Sequence, residues 1–278
     1  MPWKYTDDYY RDYTRTTWNE SSAAYERFAK ILEPFRVDLV AAIHPGPGES
    51  VLDMGTGPGE PALTMAGMVG PRGSVVGVDM AEKMVAIAER TAKSRGVTNA
   101  TFRVMDCSAL EFDDHRFDGV SCAFGFQIFT DPDKAALEAF RVLKPGGRIG
   151  VVVWGQGPQV PALDVIIAPL LEHAEPDETG YLPTPYETGG PGEMVHFLES
   201  AGFRDATERR VDHPWTMATE DEYLESILTS TPIGHSLGEE TPEVQQEVLR
   251  KTRSNLQRWK TPEGLRLPAE AVVVTARR

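Results

Sequence analysis

Three closely spaced glycines follow a short apolar run, and this arrangement suggests a ligand site. The run Val51-Leu52-Asp53-Met54 leads into Gly55-Thr56-Gly57-Pro58-Gly59, and a helix is expected from Pro61 onward. Because glycine has no Cβ, backbone N–H groups in such a turn can approach a ligand closely, and the helix N-terminus adds partial positive charge. The stretch favours a small molecule with a polar or anionic end; the alternative is a tight turn without a ligand.

A diphosphate fits this turn poorly. A phosphate-binding loop would end in Gly-Lys-Ser/Thr, and a dinucleotide fingerprint would have Gly or Ala where this chain has Glu60. A carboxylate at that position repels a pyrophosphate. Asp53, two residues before the first glycine, instead suits a ligand that carries an amino group.

Acidic residues end three successive apolar runs that are predicted strands, namely Asp53, Asp79 and Asp106. We expect the three to line one crevice, because ligands of parallel sheets bind beyond the carboxyl ends of the strands. A single acid at a strand end is ordinary turn chemistry. Asp79, however, lies 26 residues after Asp53, close to the spacing at which an acid meets ribose hydroxyls. The pattern predicts a nucleoside-containing ligand whose amino or amide end lies at the glycine turn.

The elements that position these residues alternate between strand and helix, which is typical of an α/β fold with a doubly wound parallel sheet. Asp131 and Pro132 provide the N-cap and first position of one helix. Predicted strands cover 51–54, 74–79, 101–105, 117–123, 148–154, 203–211 and 271–275, and predicted helices cover 18–32, 61–69, 81–94, 132–143, 162–174, 191–201, 219–228 and 242–259.

Composition favours small-molecule chemistry. A net charge of −14 over 278 residues disfavours nucleic acid or an anionic membrane surface as the partner. The sequence has no apolar run of about 18 residues and begins without an apolar signal segment, so we expect a cytoplasmic protein without a membrane span. Cys107 and Cys122 lack metal-site spacing and are expected to be buried, reduced thiols. The oligomeric state is left open.

Together, these motifs resemble a class I S-adenosylmethionine-dependent methyltransferase of the small-molecule type, akin to the ubiquinone/menaquinone C-methyltransferases. The resemblance rests on Val-Leu-Asp-Met-Gly-Thr-Gly-Pro-Gly, Val-Val-Gly-Val-Asp-Met-Ala-Glu-Lys-Met, Met-Asp-Cys-Ser-Ala-Leu, Phe-Asp-Gly-Val-Ser-Cys-Ala-Phe-Gly and Arg-Val-Leu-Lys-Pro-Gly-Gly-Arg, all within residues 50–154. It implies a Rossmann-like, mostly parallel seven-stranded sheet with an antiparallel last strand. It also implies S-adenosylmethionine as cofactor, with S-adenosylhomocysteine as product.

The resemblance further implies which residues contact each part of the cofactor. These are Asp53, Gly55, Thr56 and Gly57 around the methionine portion; Asp79 at both ribose hydroxyls; Met80 against the adenine; Asp106 at the adenine amino group, with Cys107 beside it; Ala123 and Phe124 facing the methionine end; Gln127 toward the methyl group and the substrate; and Tyr25 closing the site from above.

Four regions are expected around this site. They are an N-terminal helical cap at 1–48, the cofactor-binding core at 49–154, a lid and helix at 155–200, and the end of the sheet with a helical substrate-side insertion at 201–278. The aromatic residues before position 30 suit either a helix packed on the core or a lid, and the two are compatible. For residues 155–190 we favour a lid over a surface elaboration.

Methyl transfer from a sulfonium needs mainly positioning, and a base only if the nucleophile must lose a proton. The six histidines lie in places that suit surface or packing roles, so no catalytic residue is assigned. No metal-ligand spacing is present, and a metal-independent enzyme is expected. The same binding residues would also serve a cofactor-binding protein that catalyses cyclisation or rearrangement, or a non-catalytic accessory protein.

Overall fold

A seven-stranded sheet with helices on both faces forms the centre of the molecule. The computed structural model describes residues 8–173, 186 and 188–278. The strands are β1 (Ser50–Met54), β2 (Ser74–Asp79), β3 (Ala100–Val104), β4 (Phe117–Ala123), β5 (Leu143–Trp154), β6 (Arg204–Asp212), β7 (Trp215–Met217), β8 (Lys260–Thr261), β9 (Gly264–Leu267) and β10 (Glu270–Arg277).

The order of the large sheet is β3-β2-β1-β4-β5-β10-β6. Neighbours from β3 to β5 pair in parallel, and β10 runs antiparallel between β5 and β6. This confirms the predicted doubly wound, mostly parallel seven-stranded fold with an antiparallel last strand. The chain reverses its winding direction at β1 and β4, and ligands bind at such a switch point.

Ten helices lie within the described residues. They are α1 (Asp8–Phe28), α2 (Glu33–Ile43), α3 (Ala62–Val69), α4 (Glu82–Ser94), α5 (Pro132–Val142), α6 (Pro161–Leu171), α7 (Glu193–Ser200), α8 (Glu220–Ser230), α9 (Pro232–Glu239) and α10 (Pro242–Leu256). The N-terminal helix expected at 18–32 is therefore longer, and a single 3-10 turn, Ala29–Leu32, joins it to α2.

The core lies on both faces of the large sheet. On one face, α2 and α6 pack with Trp154, Trp215 and β10 residues such as Val273. On the other face, α5 and α7 cover alternate residues of β1, β4 and β5. Helices α3 and α4 pack with α2 against Val51 of β1 and Val75 of β2, on the face opposite to α5 and α7. Because β1 is buried on both faces after Ser50, its residues 51–54 are apolar except for Asp53, which is 0% exposed.

Two features after residue 200 differ from the predictions. Residues 231–235, which lie outside the predicted helices, open α9, because Pro232 stands at a first helical position that needs no N–H. Gly234 allows α9 to pass close to α8, since a Cβ there would lie 1.8 Å from the Leu228 carbonyl oxygen. The small sheet β7-β9-β8 was also missed, because its strands have only two to four residues each.

The predicted lid at 155–190 lies only partly within the described residues. Residues 155–173 contain a short 3-10 turn and α6, whereas residues 174–185 and 187 lie outside the described part, as do residues 1–7. None of the helices that the structure describes is long and apolar enough to cross a membrane.

Candidate functional site

A cavity of about 400 Å³ opens at the carboxyl ends of β1, β2, β4 and β5. Ten of the twelve predicted cofactor contacts line it, and Asp53 and Thr56 do not. Those ten are Tyr25, Gly55, Gly57, Asp79, Met80, Asp106, Cys107, Ala123, Phe124 and Gln127.

The glycine turn has a conformation that requires glycine. Gly55, Gly57 and Gly59 have φ values of 67°, 53° and 110°, which L side chains rarely adopt. A Cβ on Gly55 would stand 3.3 Å from the Phe129 ring, which belongs to the loop after β4. The turn therefore brings bare backbone to the cavity wall.

Asp79, at the end of β2, links the glycine turn to the start of α4. Its Oδ2 accepts from the Gly57 N–H and its Oδ1 accepts from the Ala81 N–H, both at 2.9 Å. Burial raises the pKa of this carboxyl, and the two N–H groups oppose the rise. The carboxylate thus stabilises the turn in addition to facing the cavity.

Asp106 and Cys107 follow β3 at the same end of the cavity. One Asp106 oxygen accepts from the backbone N–H and hydroxyl of Ser108, at 2.8 and 2.7 Å. The other lies 3.3 Å from Nε of Arg11 on α1. Cys107 is buried, and burial raises the pKa of its thiol, so the side chain acts as an apolar wall.

Asp53 departs from the expectation that the three strand-end acids share one crevice. Its side chain turns away from the cavity toward β4, where Oδ1 accepts from the Ser121 hydroxyl at 2.6 Å. Burial raises its pKa to about 6, and the hydroxyls of Ser121 and Thr56 and the charge of Arg36 oppose the rise. Its ligand role stays a prediction; the structure places it behind the glycine turn.

Arg36 is a charged residue near the site that the sequence reasoning missed. It is 8% exposed, its Nη1 donates to the Ala29 carbonyl at 2.9 Å, and its Nε has no partner among the described residues. Its guanidinium lies beside the Tyr25 hydroxyl. Burial raises the pKa of that hydroxyl, and the charge of Arg36 opposes part of the rise. The available signal was a cation on an otherwise apolar helical stripe with Leu32 and Val40.

Helix α1 covers the cavity and also packs on the core, so both interpretations of the aromatic N-terminus fit its described part. Trp18 and Tyr25 line the cavity, and their rings meet edge to face at 5.1 Å. Glu82, at the start of α4, accepts from Arg15 at 3.1 Å and from Asn19 at 2.6 Å. These bonds join α1 to the core beside the strand that ends in Asp79.

The far end of the cavity is apolar. Phe28, Leu32, Trp154, Leu163, Ile167, Leu170, Leu171, Trp215, Pro232 and Ile233 line it. Phe124, at the boundary, has a φ of 60°, which is uncommon for a bulky residue and is often found at functional sites. Two of the cavity's polar side chains, Gln127 and Asp131, belong to the segment that joins β4 to α5. No histidine and no three-residue metal-ligand cluster occurs among the described residues that line the cavity.

A second, more open groove of about 520 Å³ lies between α1 and α8. Charged side chains of both signs line it, including Arg27, Lys30, Glu222 and Glu225. It contains none of the strand-end residues, so we assign the site to the inner cavity.

Comparison with known proteins agrees with this geometry. A family profile described as a methyltransferase domain matches residues 51–147. The chain is 32% identical to nocamycin O-methyltransferase of Saccharothrix syringae, over 66% of this chain and 69% of that protein. It is 44% identical to demethylmenaquinone methyltransferase of Thermus thermophilus, over 39% of this chain and 49% of that protein. The match thus spans about half of the latter.

A solved structure shares the fold. A protein from Bacillus halodurans C-125 assigned as a methyltransferase superposes with a TM-score of 0.58 and 23% identity, covering 87% of this chain and 97% of that one. The matched profile, the relatives and the cavity geometry lead to one conclusion. This chain belongs to the class I S-adenosylmethionine-dependent methyltransferases that act on small molecules.

Proposed function

We propose that the inner cavity holds S-adenosylmethionine at its polar end and a largely apolar acceptor at its other end. The observation that carries the proposal is that one cavity joins Asp79 and Asp106 to the apolar walls of α6 and α9. When bound, the cofactor supplies an activated methyl group on a positively charged sulfur. The protein's contribution is then mainly to position both molecules and to exclude water.

The residues at the polar end fit this cofactor. Each Asp79 oxygen accepts one backbone N–H and retains a lone pair for a ribose hydroxyl. Gly55 and Gly57 leave room where a Cβ would stand. Arg36 does not line the cavity; it lies behind this end, where its charge acts on Asp53 and Tyr25. Asp106 is available for an exocyclic amino group.

The apolar end fits a small organic acceptor. Residues 155–173 and α9 supply much of its wall, so we propose that these segments form the substrate-side cap. Nocamycin O-methyltransferase, which this chain matches over 69% of that protein, is named for transfer to oxygen. This name favours an oxygen nucleophile in the acceptor of the present chain. Cytoplasmic location and independence from metals stay predictions.

Calorimetry on Asp79 variants tests the proposal. Hydrogen bonds to a charged group contribute about 1.5–3 kcal/mol each, so Asp79→Ala should weaken S-adenosylhomocysteine binding by roughly ten- to a hundredfold. Asp79→Asn should be intermediate. The melting temperature of Asp79→Ala should also fall, because the carboxylate accepts from Gly57 and Ala81.

Asp118→Ala is the matched control. Asp118 accepts from Ser50 N at 2.9 Å and from Lys144 Nζ at 2.8 Å, at the opposite end of β1. Its loss should lower the melting temperature and leave cofactor affinity unchanged. Binding of NAD in place of both adenosyl compounds, or equal affinity loss in the two variants, would contradict the proposal.

A further inference from the structure

Gln127 presents an amide N–H group to the cavity. The side chain is 7% exposed and lines the cavity, and its Oε1 accepts from the backbone N–H of Trp154 at 2.8 Å. Because that N–H can only donate, the atom facing it must be the amide oxygen, which turns the NH₂ group the other way. Nε2 makes no hydrogen bond to an acceptor among the described residues, so its hydrogens are available to a bound molecule.

The hydroxyls at the apolar end do not satisfy this donor. Thr231 Oγ1 donates to the Ile227 carbonyl at 2.8 Å, and Ser236 Oγ donates to the Pro232 carbonyl at 3.3 Å. Both therefore bond within their own helical segments. A ligand that fills the cavity without offering Gln127 an acceptor leaves a buried donor unsatisfied, which is costly.

The aromatic side chains at this end contact one another and do not form an open cage for a cation. Phe124 and Trp154 stack with ring centroids 4.2 Å apart. Trp154 and Phe28 both meet Trp215 edge to face, at 5.7 and 5.2 Å. Since neighbouring rings occupy these faces, the arrangement favours a flat apolar molecule over an ammonium group.

The described part of the cavity also offers few groups that can take a proton from an acceptor. Asp79 and Asp106 hold backbone N–H groups at the cofactor end, and Asp131 pairs with Lys134 and accepts its backbone N–H. The titratable side chains that line this part of the cavity are Tyr13, Tyr25, Asp79, Asp106, Cys107 and Asp131, and the charged neighbours that the structure pairs with them are Arg11, Arg36 and Lys134.

We propose that the acceptor is methylated on an acidic hydroxyl, an enol or phenol, that enters the cavity already ionised, and that Gln127 Nε2 donates to this oxygen. The inference rests on the proposed function. In the transfer, the O–CH₃ bond forms as the bond between methyl carbon and sulfur breaks, and the sulfur keeps the electron pair. The negative oxygen and the positive sulfur neutralise each other, so no proton has to be removed.

The test uses 4-nitro-1-naphthol, whose ionised form is coloured, with the full chain saturated by S-adenosylhomocysteine. Titrating the probe against pH with and without protein gives the relative affinities of naphtholate and naphthol. Since a hydrogen bond to an anion is roughly twice as strong as one to a neutral acceptor, naphtholate should bind about tenfold or more tightly, equivalent to about 1.4 kcal/mol.

Gln127→Glu is the decisive variant, because a carboxylate keeps the acceptor for Trp154 N–H and replaces the NH₂ donor with a negative oxygen. The preference should then reverse toward neutral naphthol. Gln246→Glu makes the same chemical change on the exposed face of α10 and should leave the preference unaltered.

The outcomes separate the two proposals. Failure of S-adenosylhomocysteine to bind would contradict the proposed function itself. Normal S-adenosylhomocysteine binding together with a preference for neutral naphthol, no binding of either probe form, or an unchanged preference in Gln127→Glu would overturn only the inference about the acceptor.

Discussion

The two ends of the cavity are built in different ways. At the cofactor end, polar side chains come from consecutive strand ends, and backbone N–H groups hold them, as Gly57 and Ala81 hold Asp79. At the acceptor end, apolar side chains come from elements far apart in sequence, including Leu32, Ile167 and Ile233.

This difference indicates how each end discriminates between ligands. Recognition at the cofactor end depends on backbone geometry and a few hydrogen bonds, which one substitution can abolish. Recognition at the acceptor end depends on the summed volume of apolar side chains, so single substitutions there should have smaller effects. Changes at one end should therefore leave binding at the other end largely intact.

The largest effect on ligand binding is expected from Gly55→Ala, with Gly96→Ala as its control. Both glycines have φ of 67°, so both alanines should cost about 1–2 kcal/mol of backbone strain. Only at Gly55 does the new Cβ meet a neighbour, Phe129 at 3.3 Å, whereas Gly96 faces open space. S-adenosylhomocysteine affinity should fall about a hundredfold, or about 2.7 kcal/mol, in Gly55→Ala alone. If calorimetry finds equal S-adenosylhomocysteine affinities in the two variants, the ligand does not approach the Gly55 backbone closely.

A pH-dependent effect on stability is expected from Asp53, whose buried carboxyl has its pKa raised from 3.8 to about 6. Because the folded protein holds this proton more tightly, the stabilisation is fully present below about pH 4 and is lost as the pH rises through 6. The loss amounts to at most about 3 kcal/mol. Asp53→Asn should lack this pH-dependent stabilisation. In urea unfolding, the free energy of unfolding of the variant relative to the parent should therefore rise between pH 4 and pH 8. A constant difference would refute the shift.

A moderate effect, confined to the acceptor end, is expected from Ile167→Ala. Ile167 lines the apolar wall from α6 and is 5% exposed. Burying a ligand against one such side chain contributes about 1 kcal/mol, so the affinity for 4-nitro-1-naphthol should fall three- to tenfold. Calorimetry should find S-adenosylhomocysteine affinity within twofold of the parent. A parallel loss of cofactor affinity would show that the two ends are coupled.

The smallest effect is expected from the contact between α1 and α4. Glu82→Gln weakens the bonds to Arg15 and Asn19, which are solvent-exposed and therefore contribute little. Release of S-adenosylhomocysteine, followed by stopped flow, should be at most about threefold faster. Glu247→Gln, which removes a surface pair with Arg250 on α10, should not change the rate. If release is unchanged in Glu82→Gln as well, these bonds do not hold α1 over the cofactor.

Regions with strong local patterns were predicted well. β2 and β4 have the predicted bounds, and β1 and β3 differ by a residue, because apolar runs bounded by turn residues report strands directly. The glycine turn has the required left-handed conformations. Of the predicted cofactor contacts, ten line one cavity, although their ligand roles stay predictions.

The errors arise where side-chain direction or long-range packing decides. Asp53 was expected in the crevice, but strand residues alternate between faces, and its face of β1 meets Ser121 and α2. Residues 231–235 were left outside the predicted helices, yet they open α9, and Gly234 lets this helix lie close to α8. Arg36 was missed because its surroundings become visible only when α2 is placed against β1.

The sequence by itself determined the alternation of strands and helices, the glycine turn, and the acids at the strand ends. Short-range sterics and hydrogen bonding govern these features, and both are encoded within a few neighbouring residues. Only the tertiary structure decided that Asp53 lies behind the turn, that α1, α6 and α9 enclose one apolar end, and that Gln127 turns its N–H groups into the cavity. These depend on which distant elements pack together, and no local window of sequence contains both partners of such a contact.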